Sequence, residues 1–182
     1  MASAQWNNAV FLALGTNLGE RHSNLARAIQ LLLDDEMVAL TRASGVYETE
    51  AVGGPPNQGD YLNAVIEIRT LLTPDALLAC CNAVETSLGR QRTVPNAPRS
   101  IDLDILLFDR RVVDRPELII PHPRMHERRF VLEPLAEIAS QIIHPTLNVT
   151  VETLLTHLDG QSGACRRLDD KDWTALSRVN PC

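Results

Sequence analysis

Two aspartates spaced i,i+2 inside an apolar run, Asp102 and Asp104 in PRSIDLDILLFD, have the types and spacing of a metal-ion platform. On a β-strand such residues project from the same face, and Ile101, Leu103, Ile105, Leu106 and Leu107 supply a strand that would be buried. Paired ionised carboxylates beside such a core are costly unless cations or arginines neutralise them. Two solvated acids on a half-exposed strand are the alternative. The surroundings favour the chemistry: Lys171 is the only lysine among 17 basic residues, and nine arginines fall between Arg90 and Arg129. Arginine's planar fork grips phosphate oxygens two at a time and keeps its charge. Carboxylates beside clustered arginines point to polyphosphate and Mg²⁺, with ATP the natural ligand.

The elements that must position these groups follow from hydrophobic spacing. Ala9 to Leu14 is a short apolar run ending at Gly15, a buried strand. Leu25, Ala28, Ile29, Leu32 and Leu33 give a helix over about 20–33, and 38–47 reads as a second strand. Gly53-Gly54-Pro55-Pro56 makes 48–60 a loop, and Tyr61 to Leu71 alternates as a strand. Thr73-Pro74 starts a helix that Gly89 stops, and a polar loop over 90–100 leads into the Asp-Leu-Asp strand. The order is β-α-β-β-α-β, the split βαβ of an α+β, ferredoxin-like sandwich with a mainly antiparallel sheet and two helices on one face. Beyond it, Val112-Val113 suggests an edge strand, 130–139 a helix interrupted near Pro134, and 151–158 a short helix. Residues 1–160 read as one domain and 161–182 as a loosely packing tail.

Composition narrows the class. The chain has 182 residues, 45% hydrophobic and 22% charged, with a formal net charge of −6, so its overall field favours neither nucleic acid nor an anionic membrane. Cys80, Cys81, Cys165 and Cys182 lack zinc spacing, and the N-terminal apolar run is too short for a signal or a span, which predicts a cytoplasmic protein. A Walker A loop needs Gly-Lys followed by Ser or Thr, and the only lysine, Lys171, stands between Asp170 and Asp172. His126, His144 and His157 receive no role.

Six segments in one order resemble the 6-hydroxymethyl-7,8-dihydropterin pyrophosphokinase family: FLALGTNLG from Phe11, YETEAVGG from Tyr47, DYLNAV from Asp60, LGRQR from Leu88, PRSIDLDILLF from Pro98 and PHPRMHERRFVLEPL from Pro121. The resemblance implies a ferredoxin-like fold and transfer of pyrophosphate from ATP to the pterin hydroxymethyl group, yielding AMP, within folate biosynthesis. It implies that Asp102 and Asp104 hold two Mg²⁺ ions and that Arg90 and Arg99 close over the triphosphate as catalytic arginines. ATP would further meet Asn82, Glu85, Arg92, Ile105, His122 and Arg128. The pterin would lie between Tyr61 and Phe130, read by Asn63 and by backbone near Thr49 and Val52. A monomer is expected.

Three departures from the family pattern stand out: Asn96-Ala97 where Trp-Gly is common, Ala51 where Pro is usual, and Pro123 where some members carry Tyr. Other two-metal enzymes on this topology, nucleotidyltransferases and cyclases, remain the competing class. An RNA-binding sheet would need a run of surface aromatics that is absent from the sequence.

Overall fold

A computed structural model of the chain describes residues 8–51, 55, 58–90, 97–158, 165–169 and 173. The elements run β1 (Asn8–Thr16), α1 (Arg21–Leu33), β2 (Val38–Ala43), β3 (Val46–Thr49), β4 (Tyr61–Thr70), α2 (Pro74–Ser87), β5 (Asp102–Phe108), β6 (Val113–Arg115), β7 (Leu118–Ile120), α3 (Arg129–Ala139), α4 (Val151–His157) and β8 (Arg166–Leu168). The main sheet is ordered β5-β1-β4-β3-β8, with β2 also on β4, and every pairing is antiparallel. The expected ferredoxin-like order is therefore present, with the acid strand β5 at one edge. β6 and β7 form a separate two-stranded sheet.

Alternation along β4 sorts the two cores. Leu62, Ala64, Ile66 and Ile68 pack with Leu25, Ile29 and Leu32 of α1 and Leu77, Cys81 and Val84 of α2. Val65 on the other parity packs with Phe11, Leu106 and the apolar sides of α3 and α4. Helices thus cover both faces, where the sequence reading placed two on one face. α3 also runs unbroken through Pro134. A proline inside a helix costs about 3 kcal/mol, whereas burying each of Val131, Leu132 and Leu135 returns roughly 1.5–3 kcal/mol, so packing outweighs the break.

The single strand expected over 38–47 is two. At Ser44 the backbone N–H still donates to Val65 O (2.9 Å), but the Gly45 N–H turns away to Glu137 Oε2 of α3 (2.9 Å). That diversion ends β2 and lets β3 start afresh at Val46. The expected loose tail is partly built into the fold: Leu168, Arg167 and Arg166 pair with Val46, Tyr47 and Glu48, and Trp173 is 4% exposed. Its indole N–H donates to Ser44 O (2.5 Å) across 129 residues of chain. Trp173→Ala is expected to destabilise the protein by about 3 kcal/mol, the lower range for a buried aromatic. Urea denaturation checks this; an unchanged midpoint would mean the ring adds nothing to the core.

Candidate active site

Register places the reactive groups in rows across one sheet face. Asp102 on β5 lies opposite Gly15 on β1, Gly15 opposite Asn63 on β4, and Asn63 opposite Tyr47 on β3; Asp104 lies opposite Ala13. Partners in an antiparallel ladder point to the same face, so the acid pair and Asn63 share one floor. Gly15 leaves that floor low between them: a Cβ there would sit 3.4 Å from Asn63 Oδ1 and 4.0 Å from the Tyr61 ring. Asn63 is 6% exposed, with its Nδ2 donating to Thr49 Oγ1 (2.8 Å).

The two aspartates differ sharply. Asp102 is held by guanidinium groups at both oxygens: Arg90 Nη1 lies 2.5 Å from Oδ1 and Arg99 Nη1 donates to Oδ2 at 2.6 Å. Asp104 has no such clamp. Burial and the neighbouring Asp102 push its carboxyl up to about 6, with Arg128 opposing, although 39% of its side-chain surface still meets solvent.

Glu85, on the last full turn of α2, reinforces the acid strand. At 4% exposure it accepts the Leu103 N–H (2.8 Å) of β5 and pairs with Arg90. Burial raises its pKa, while the Leu103 N–H and Arg90 pull the other way. Burial also pushes His122 down to about 4, followed by the charge of Arg128. His122 Nδ1 accepts the Arg124 N–H (3.2 Å), so the neutral ring carries its proton on Nε2, 3.8 Å from Asp104 Oδ2. Its Nε2 faces the acid pair from beyond hydrogen-bond distance.

The structure gathers Arg90, Arg99, Glu85, His122 and Arg128 electrostatically around Asp102 and Asp104. Tyr61 interacts electrostatically with Arg99, and Arg128 lies over the Phe130 ring, 5.6 Å from its centroid. Ile105 buries its side chain in the core, which leaves its main chain at the edge strand β5. Asn82 lies one turn before Glu85 on α2. Val52 and Arg92 lie outside the described residues, as does Asn96 of the altered loop. Gly15 and Asn17, both in the first segment, were not singled out as site residues by sequence reasoning; the absent side chain of one and the amide of the other gain meaning only beside Asn63 and Arg99.

The family model for 7,8-dihydro-6-hydroxymethylpterin-pyrophosphokinase (HPPK) matches residues 11–140. The chain belongs to this family. A 2-amino-4-hydroxy-6-hydroxymethyldihydropteridine pyrophosphokinase of Bacillus subtilis (strain 168) is 47% identical over 136 residues, covering 75% of this chain and 81% of the relative. One from Aquifex aeolicus (strain VF5) is 40% identical, with coverages of 75% and 83%. A folic acid synthesis protein of Pneumocystis carinii is 36% identical over 80% of this chain, which spans only 19% of that longer relative. The crystal structure of Plasmodium falciparum HPPK-DHPS wild type with pteroate aligns with a TM-score of 0.65 over 85% of this chain and 45% of that one; at 14% identity it shows a shared fold. As an HPPK-family member the chain is an enzyme that transfers pyrophosphate, with a place in folate biosynthesis. No helix among the described residues is long and apolar enough to cross a membrane.

The donor set suits Mg²⁺. That ion takes hard oxygen ligands and keeps waters or phosphates in its shell, so two same-face carboxylates suffice, and among the described residues no larger His, Cys or acid cluster forms a closed cage. The sign of the pH effect follows. Because the folded-state pKa of Asp104 is raised from 3.8 to about 6, its contribution to stability is full below the unfolded value and is lost as pH rises through 6. A cation that binds the ionised pair offsets that loss. MgCl₂ is therefore expected to raise the unfolding temperature more at pH 7.5 than at pH 5, read by scanning fluorimetry. Equal shifts at the two pH values would contradict the assignment.

Proposed function

We propose that this HPPK-family enzyme transfers the intact pyrophosphoryl group of ATP to the hydroxymethyl oxygen of 6-hydroxymethyl-7,8-dihydropterin in a Mg²⁺-dependent reaction. The observation that supports this most directly is the row Asp102–Gly15–Asn63: a phosphate-side carboxylate and a buried amide share one floor with only a glycine between them. Attack falls on the β-phosphorus. The hydroxymethyl oxygen–phosphorus bond forms as the bond from Pβ to the α–β bridging oxygen breaks; AMP leaves with that oxygen, and the hydroxyl proton is released.

Asp102 and Asp104 are the proposed ligands of two Mg²⁺ ions. Bound there, the metal would screen charge on the phosphates and favour an in-line arrangement of attacking and leaving oxygens. The chain's own groups do the rest. Arg90 and Arg99 now occupy the oxygens of Asp102; to leave that carboxylate free to hold a metal, their guanidinium groups would move onto the phosphate oxygens, where charge develops. Arg128 and Arg92 add positive charge, and neutral His122 donates from Nε2. Asn82, Glu85 and the main chain at Ile105 form the adenosine side, with Glu85 acting by holding Arg90 and β5 in place.

On the pterin side, Asn63, backed by Thr49, reads the polar edge together with main chain at Val52, and Tyr61 and Phe130 flank the ring. The protein is read as a cytoplasmic monomer with these two small molecules, not nucleic acid or membrane, as its partners. Incubation with ATP, Mg²⁺ and the hydroxymethylpterin is expected to yield AMP and the pterin diphosphate. Release of inorganic pyrophosphate or cyclic AMP in its place would move the enzyme to the nucleotidyltransferase or cyclase class.

A further inference from the structure

Asn17 follows β1 and is 7% exposed, and its side chain lies between two loops that are distant in sequence. At one end, Oδ1 accepts the Arg99 N–H (2.8 Å), and the Asn17 N–H donates to Arg99 O (3.1 Å). At the other end, Nδ2 donates to Gly59 O and to Gln58 Oε1, both at 3.2 Å. Arg99 carries the guanidinium that grips Asp102 and meets Tyr61; Gly59 stands two residues before Tyr61.

We propose that Asn17 is a positioning residue for Arg99: it fixes the Arg99 main chain to the end of β1 and to the root of the pterin-side loop, so that only the guanidinium moves. The inference rests on the pyrophosphoryl-transfer reading. Two hydrogen bonds to one residue's main chain make a ladder-like lock, which sets where the side chain pivots between Asp102 and a phosphate oxygen. The residue type follows from the same geometry. The Arg99 end needs an acceptor and the Gly59 end needs a donor, and among short side chains only an amide presents both at opposite atoms. Nothing in the local sequence distinguishes this amide from an ordinary turn asparagine, since its partner lies 82 residues away.

A merely structural Asn17 would lower stability and leave the chemistry of the folded enzyme alone. A positioning Asn17 lowers kcat through Arg99. The expected result for Asn17→Ala is a kcat reduced about 10- to 100-fold, the scale of a misplaced catalytic group, with the KM for ATP changed less than about threefold. Asn17→Asp keeps the acceptor for Arg99 and loses the donor to Gly59, so it should recover most of kcat while the KM for pterin rises above the parental value. The deciding readout is a double-mutant cycle. In an Arg99→Ala background, Asn17→Ala should cost nothing more in kcat, because it acts through the group already removed.

Circular dichroism at the assay temperature confirms that each variant is folded. If the alanine variant melts too low, Asn17→Ser carries the same cycle. Parental kcat in a folded Asn17→Ala enzyme, a kcat for Asn17→Asp as low as for alanine, or fully additive losses in the cycle would each overturn the assignment to Asn17 alone. A parent enzyme that forms no AMP would overturn the transfer reading and this inference with it.

Discussion

Asp104→Asn is expected to cut turnover by about three orders of magnitude, while leaving the folded protein at least as stable as the parent above pH 6. The two effects have different origins. Turnover falls because an amide cannot replace a carboxylate as a ligand for Mg²⁺, and several kcal/mol of charge stabilisation on the transferring phosphates goes with it. Stability does not fall, because burial and Asp102 already disfavour the ionised Asp104, and a neutral isostere removes that repulsion. With 39% of its side-chain surface in contact with solvent, the gain is small. Asp102→Ala should lose turnover to a similar degree and also lose stability. Removing Asp102 strips Arg90 and Arg99 of a shared partner at 2.5 and 2.6 Å, leaving Arg90 with Glu85. Steady-state turnover with ATP and the pterin, beside urea denaturation at pH 7.5, reads both quantities. Either variant keeping more than about a tenth of parental turnover would refute the metal assignment, and equal stability losses would refute the difference between the two acids.

Arg99→Ala and Arg90→Ala are expected to lower kcat by about 10²- to 10³-fold with little change in pterin affinity, since an arginine that neutralises phosphate charge as it develops acts mainly in the transition state. Their stabilities should separate. Arg90 also pairs with Glu85, which is 4% exposed; without it, that carboxylate keeps the Leu103 N–H but loses its cation. Arg90→Ala is thus the less stable of the two, by roughly 1–3 kcal/mol for a buried carboxylate that loses its paired cation. Glu85→Gln in the Arg90→Ala background should restore part of that loss. Single-turnover rates, pterin binding by isothermal calorimetry and unfolding midpoints decide these points. Weaker pterin binding with an unchanged transfer rate would remove the arginines from the phosphate side.

Much of the site was readable because its signals are local. An i,i+2 acid pair shares a strand face wherever the strand lies, and Leu62, Ala64, Ile66 and Ile68 reveal their face by period alone. Thr73-Pro74 and Gly89 mark the ends of α2 by cap chemistry, and the Thr73 hydroxyl does accept the Ala76 N–H at 3.3 Å. Local signals fail where a distant residue decides. Pro134 argued for an interrupted helix until the packed face of α3 outweighed it, and 38–47 looked like one strand because Glu137, which draws Gly45 off the ladder, is 92 residues away.

By itself, the sequence determined which chemistry was available: hard oxygen ligands on one strand face, arginines around them, and an element order able to carry both. Only the tertiary structure decided how that chemistry is arranged. It made Asp102 the anchor of two arginines and left Asp104 the acid whose pKa burial and Asp102 raise, it lowered the pKa of His122 through burial and the charge of Arg128, and it set Asn17 against Arg99. The reason is physical. Periodicity and capping depend on neighbours within a turn or two of the chain, whereas desolvation and Coulomb interactions depend on every group within several ångströms, wherever folding has brought it.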